Sequence, residues 1–197
     1  MHHLPEYDFA GPTTRDRVTE HNNAVAALEA DQADVEKLAG ELANLDPMTV
    51  APDEAESKAC EVARRRHANV KATVALLQAR LPILAALEEN RRQAEQEAGE
   101  ALEQRRNETE EGLKAAGYAH FVGTDDPVTR RQAAELVDAS SPVISAAQRF
   151  GELREGRTAL SGIALVTRQE IARLTATLQT ALETSIHGEP RRSFAAV

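Results

Sequence analysis

The stretch GELREGRT, Gly151 to Thr158, comes within one residue of the phosphate-loop pattern G-x-x-x-x-G-K-[ST], with Arg157 in the lysine position. Such a loop works where a strand turns into a helix, so that backbone N–H groups cradle the anion. Here both flanks carry helical periodicity, and Glu152 and Glu155 would lie inside the anion site. Nucleotide binding is therefore not expected. Helical bundles can hold two metals through Glu-x-x-His pairs. The residues three before His21, His67, His120 and His187 are Val18, Arg64, Gly117 and Thr184, so that motif is absent. Glu183 and His187 could share a helix face, but the helix dipole accounts for a histidine in a last turn. His2 and His3 form a flexible pair rather than a metal site. Cys60 and His67 lie seven residues apart on one expected helix, about 10 Å of rise, too far for a nucleophile and its base. Cys60, close to Ala59 and Val62, is expected to be a small core residue. The sequence thus nominates no catalytic residue, no cofactor and no metal, and the chain is expected not to be an enzyme.

Arginines recur in clusters: Arg64 to Arg66, Arg91-Arg92, Arg105-Arg106, Arg130-Arg131 and Arg191-Arg192. They could grip phosphates, but glutamates surround them and no aromatics interleave. The net charge of −9 sets the wrong field for nucleic acid or an anionic membrane, so neither is expected as a partner. Ion pairs within and between helices are the expected role. Arg91 and Arg105 continue the heptad frame of Val70, Leu77 and Leu84, with Glu88 and Glu95 in the other seam position. A seam of Arg and Glu stabilises weakly but selects register and partner.

The elements that must hold these residues are helical throughout. Hydrophobic residues make up 42% of the 197, yet aromatics are only 3% and Trp is absent, a palette for long helices rather than sandwiches or barrels. A core of Leu, Val, Ile and Ala buries little area per residue and is often completed by association. The first helix is expected from Thr13 or Thr14 to Leu45, with Val18, Val25, Leu28, Val35 and Leu42 in its seam and His21 and Gln32 as the polar members. Asp46-Pro47 ends it. A second helix from Pro52 to Ala116 would be about 95 Å long. Its stripe is Val70, Val74, Leu77, Leu81, Leu84 and Leu87, and Pro82 should kink or break it. A short helix is expected from Asp126-Pro127 to Val137. The last helix begins at Ser141-Pro142 and runs to Ile186, with Phe150, Leu153, Leu160, Ala164, Ile171, Leu174 and Leu178 in one seam. Gly188 and Pro190 stop it.

The fold class expected is all-α: an elongated antiparallel helical bundle or coiled-coil hairpin of three long helices and one short one, with extended termini. Residues 1–12 form an N-terminal arm, 13–187 the bundle, and 188–197 a tail. Antiparallel folding of neighbours places Leu45 near Asp53, Val18 near Leu81 and Pro142 near Leu113. Residues 88–162 then form a polar coiled-coil projection. Ala94, Ala98, Gly99, Ala101, Gly151, Gly156 and Gly162 supply small residues there for close helix approach or for local loosening. The stretch from Glu88 to Glu111 has nine Glu, four Arg and one large apolar residue, Leu102.

Five of the six aromatics fall outside the long helices: Tyr7, Phe9, Tyr118, Phe121 and Phe194, with Phe150 the exception. Aromatics make good interface anchors, so these five are the candidate partner contacts. The competing expectation is that the arms fold back and plug the ends of their own bundle. One cysteine excludes an internal disulfide framework and fits a reducing, cytoplasmic setting. The start shows no signal-peptide pattern, and no run approaches 18 apolar residues, so no membrane span is expected. The functional expectation is a non-enzymatic structural or assembly subunit of a larger complex, of the virion or bacterial-machine type, in a homo-oligomer or with other proteins. The alternative is a soluble coiled-coil adaptor with a transient protein partner. A ligand-binding enzyme would need a convergent polar pocket that the sequence does not display.

Overall fold

The computed structural model describes residues 3–45, 52–115, 117 and 140–186. Among these residues there are three helices and no strand: α1 (Pro12–Ala43), α2 (Pro52–Ala115) and α3 (Ser140–Ile186). The expected short helix at 126–137 and the tail at 188–197 lie outside the described residues. Pro12 opens α1 and Pro52 opens α2, each at a first-turn position where a missing N–H costs nothing. Asp53 and Glu54 place negative charge at the positive end of the α2 dipole. Beyond the end of α2, Gly117 takes φ +84° and donates its N–H to the Lys114 carbonyl at 3.1 Å. That left-handed cap explains a glycine at this position.

Pro82 neither ends α2 nor splits it: the helix is continuous from residue 52 to 115. A mid-helix proline costs about 3 kcal/mol. The residues just beyond it, Ile83, Leu84 and Leu87, are all buried, and burial of a large aliphatic side chain returns about 1.5–3 kcal/mol. Tertiary packing therefore outweighs local propensity here. Around Pro82, α2 also holds an 18-residue window of mean hydropathy 1.5, of which 28% is buried. By length and composition alone this stretch is apolar enough to cross a membrane. The core helix of a soluble protein passes the same test, because alanines fill the outer face of the stripe.

Two compact units emerge from the packing. The first comprises Met1–Glu6, Pro12–Leu84 and Ile163–Val197. Within it α1 and α2 run antiparallel. The Glu36 carboxylate accepts from Arg66 at 2.9 and 3.1 Å, and Gln32 donates to the Thr73 hydroxyl at 3.4 Å. The expected register would set Glu36 opposite residue 62 or 63, so the true one lies about one helical turn further along α2. Val18, Val25 and Val35 are buried as the heptad requires, and the polar seam member His21 is buried with them. Cys60 is exposed, against expectation. The buried residues of that part of α2 are Val62 and Asn69, seven apart, and Cys60 points away from both.

The second unit comprises Tyr7–Gly11 and Ala85–Gly162. Its large buried apolar residues, among those described, are Leu87, Leu102, Leu153 and Leu160. Leu102, isolated in an acidic stretch, is thus a core residue. The helices here are also antiparallel, but the expected register would set Gly99 opposite residue 156, whereas a Cβ built on Gly99 meets Phe150 Cε2 at 3.4 Å. Packing closes around Gly99 and Gly156, where a Cβ would sit in ordinary van der Waals contact, at Gly156 3.7 Å from Arg91 Cδ and 3.9 Å from Phe9 Cε1, without excluding alanine. A Cβ at Gly151 or Gly162 would meet nothing within 4 Å. We expect Gly151→Ala to raise stability by about 0.5–1 kcal/mol by restoring helix propensity. A urea titration showing an unchanged or lower midpoint would refute this.

Candidate functional site

The most highly determined polar cluster of the second unit centres on Arg91. Its side chain is 3% exposed. Nε and Nη2 donate to the two oxygens of Glu88 at 2.9 and 2.8 Å, one helical turn back. Nη1 donates to Glu95 at 2.6 Å, one turn forward, and to the Leu153 carbonyl of α3 at 3.0 Å. The guanidinium is thereby held protonated more firmly than usual, first by the hydrogen bonds to Glu88 and then by Glu95. Glu88 is correspondingly pushed below its ordinary value, chiefly by the Arg91 hydrogen bond, then by the charges of Arg91, Arg157 and Arg92. The expected Arg and Glu seam is present at this position. It does not extend to Arg105, whose side chain is 52% exposed and, among the described residues, pairs with Glu108 at 2.8 Å on its own helix.

The Glu88 and Glu95 carboxylates both bind a guanidinium that stays charged at every physiological pH. GELREGRT lies wholly inside α3 and its helical N–H groups are not free to cradle phosphate. Among the described residues, no three His, Cys, Asp or Glu side chains gather as a metal site.

Of the candidate contact residues, Tyr118, Phe121 and Phe194 lie outside the described residues. Tyr7 and Phe9 stack on each other with ring centroids 4.8 Å apart and planes at 26°. Between them, Asp8 accepts from Arg149 of α3 at 2.6 Å. That hydrogen bond lowers the Asp8 carboxyl below its ordinary value. Both rings are half-buried, so this short segment folds back on its own chain while each ring keeps some free surface. Next to it, an open groove of about 940 Å³ follows α2 from Arg92 to Glu111, with Gly99 and Phe150 in its wall. Among the described residues, Glu95, Glu100, Glu103, Glu108 and Glu111 line it against one cation, Arg92.

The first unit carries the exposed apolar surface. Leu165 and Val166 of α3 are 55% and 62% exposed. On α2, Ala72, Ala75, Ala79 and Pro82 are exposed at spacings of three, four and three, one outward stripe. Besides Thr14 in the first turn of α1, sequence reasoning missed three buried polar residues among those described, Asn69, Arg80 and Thr167. Each occupies a strict seven-residue spacing with an apolar neighbour: Val62 with Asn69, Arg80 with Leu87, and Leu160, Thr167 and Leu174. That spacing was the signal for them. No protein-family model, curated protein or solved structure matches the chain.

Proposed function

We propose that this protein is a non-enzymatic helical subunit of a larger protein assembly, joined to copies of itself or to other subunits through helix faces and the N-terminal segment. The reading takes its helices as an antiparallel coiled-coil bundle. The observation that carries it is the outward apolar surface of the first unit, the Ala72, Ala75, Ala79, Pro82 stripe and the Leu165–Val166 pair. Small residues allow helices to approach closely, and adjacent large aliphatics give a contact area to bury. The Arg91 cluster supports the same reading, since a buried, ion-paired guanidinium that also donates to the Leu153 carbonyl of α3 selects a helix pairing. An exposed free thiol at Cys60 suits a reducing compartment. The cytoplasm, or a particle made in it, is the setting proposed, and the virion or bacterial-machine type is an analogy of architecture.

The groove of the second unit favours a second reading, the adaptor. Its five glutamates and one aromatic wall suit a basic amphipathic helix. Light scattering separates the two. The assembly reading expects a mass well above the 21.4 kDa of one chain. Leu165→Glu with Val166→Glu should return it to a monomer of unchanged helicity. A monomeric wild-type protein would overturn self-assembly; salt-sensitive binding of a basic helical partner by that monomer would favour the adaptor.

A further inference from the structure

His21 holds the least satisfied position in the first unit. It sits on α1 between Val18 and Val25, is 5% exposed, and its Nε2 is buried without a hydrogen-bond partner. The next residue, Asn22, clamps the N-terminal segment at two points. Its Oδ1 accepts the Leu4 N–H at 2.8 Å and its Nδ2 donates to the Leu4 carbonyl at 2.9 Å. The Leu4 side chain is buried at 2% exposure. One residue further out, His3 stands 3.7 Å from Glu29. Among the described residues, the charged groups acting on His21 are Arg80, from α2, and His3, from the segment itself; neither α1 nor α3 brings it a carboxylate.

A neutral imidazole tolerates this site because one ring nitrogen can stay a bare acceptor. An imidazolium cannot: both nitrogens become donors, in a buried place, next to a buried guanidinium. We propose that His21 is an acid-sensitive latch, whose protonation drives residues 3–6 off α1, parting Leu4 from Asn22 and opening the imidazolium to water.

The segment gives way rather than the α1–α2 pair because, among the described contacts, two hydrogen bonds and one leucine hold it, far fewer than join two long helices, and sparsely packed segments open locally first. Its departure also carries His3 away from His21. Protonated His3 would attract Glu29 and oppose release, but both groups are about half exposed, and a screened surface pair contributes little. The direction with pH follows from burial first, then Arg80 and His3, which hold the closed-state value of His21 below its ordinary 6.5. The closed state therefore binds fewer protons than the open one. It is fully favoured above pH 6.5 and loses ground as pH falls below that, by up to about tenfold per pH unit until the closed-state value is reached.

The test is amide hydrogen exchange by NMR at about pH 7.5 and about pH 5.5, corrected for intrinsic rates. We expect the Leu4 amide to lose about tenfold in protection at the lower pH, with the Val25 and Leu77 amides unchanged. His21→Gln should abolish the pH dependence, and Asn22→Ala should reproduce the open Leu4 at the higher pH. Should His21→Gln fail to fold, the wild type decides: the His21 ring carbon shifts and the Leu4 amide shift must titrate together. Leu4 protection that ignores pH, or that falls together with Val25 and Leu77, overturns the latch. So does a pH dependence that survives in His21→Gln.

Discussion

Replacing Arg91 by alanine is expected to destabilise the second unit by about 2–4 kcal/mol. Two losses of different kind make up that figure. The aliphatic stem of Arg91 is buried, and its removal leaves a void beside Gly156. The Leu153 carbonyl also loses the side-chain donor that reaches it from α2, and a buried acceptor stripped of a charged donor costs about 1–3 kcal/mol. The upper range for breaking a buried ion pair, about 5 kcal/mol, is not reached. Glu88 and Glu95 are 40% and 27% exposed and can turn to water. Arg91→Met separates the two losses. It keeps most of the volume and removes only the charge, so its cost should fall to about half that of alanine.

The same pair has a pH signature. Glu88 is held below its ordinary 4.5 in the folded state, so the unfolded chain takes up its proton first on acidification. The stability this pair supplies is complete above pH 4.5 and is lost as pH falls through the lower folded value. Urea midpoints measured across that acid range should show a steeper decline in the wild type than in Arg91→Met. Equal slopes in the two proteins, or an alanine variant as stable as the wild type, would remove Arg91 from its structural role.

The heptads made the helices legible, and they marked two polar seam members on α1 while Asn69, Arg80 and Thr167 were passed over. His21 lies in the seam, and Gln32 bonds Thr73 across it. Register was another matter. Shifting two alanine-rich faces by one turn exchanges one small residue for another, so burial changes little and the pattern does not object. What discriminates is long-range and specific: Arg66 forking onto Glu36, and Arg91 reaching the Leu153 carbonyl. A side chain as long as arginine also meets residues well away from its own level, which a Cα-based register cannot anticipate. Of the two outcomes expected at Pro82, a kink or a break, the break is absent for a related reason, since the local cost is fixed while the burial of Ile83, Leu84 and Leu87 is set by the fold. Cys60 misled because two apolar neighbours in sequence are not neighbours on a helix. Position along the chain marked Tyr7 and Phe9 as unusual, but only geometry pairs them with each other and sets Asp8 on Arg149.

Leu87→Ala is expected to cost about 2–5 kcal/mol, the largest single-residue effect we anticipate. Leu87 is wholly buried, at 0% exposure, and is one of the four leucines on which the second unit depends among its described residues. A domain stable by only about 5–15 kcal/mol has little margin against such a loss. The magnitude depends on how far the surroundings can collapse. Here collapse is limited, because Arg91, one turn away on the same face, is fixed by four hydrogen bonds and cannot slide into the void. Leu87→Met, which keeps the volume, should cost less than about 1.5 kcal/mol. Leu165→Ala, at a site 55% exposed, should stay within about 0.5 kcal/mol in the isolated chain. The ordering matters more than any one value. Guanidinium unfolding of the three variants, with hydrogen exchange reporting residues 85–115, should rank Leu87→Ala far below the other two. If Leu165→Ala instead proves the most damaging at assembling concentrations and harmless on dilution, that leucine is stabilised by a neighbouring copy. The exposed face of α3 would then be the subunit contact itself.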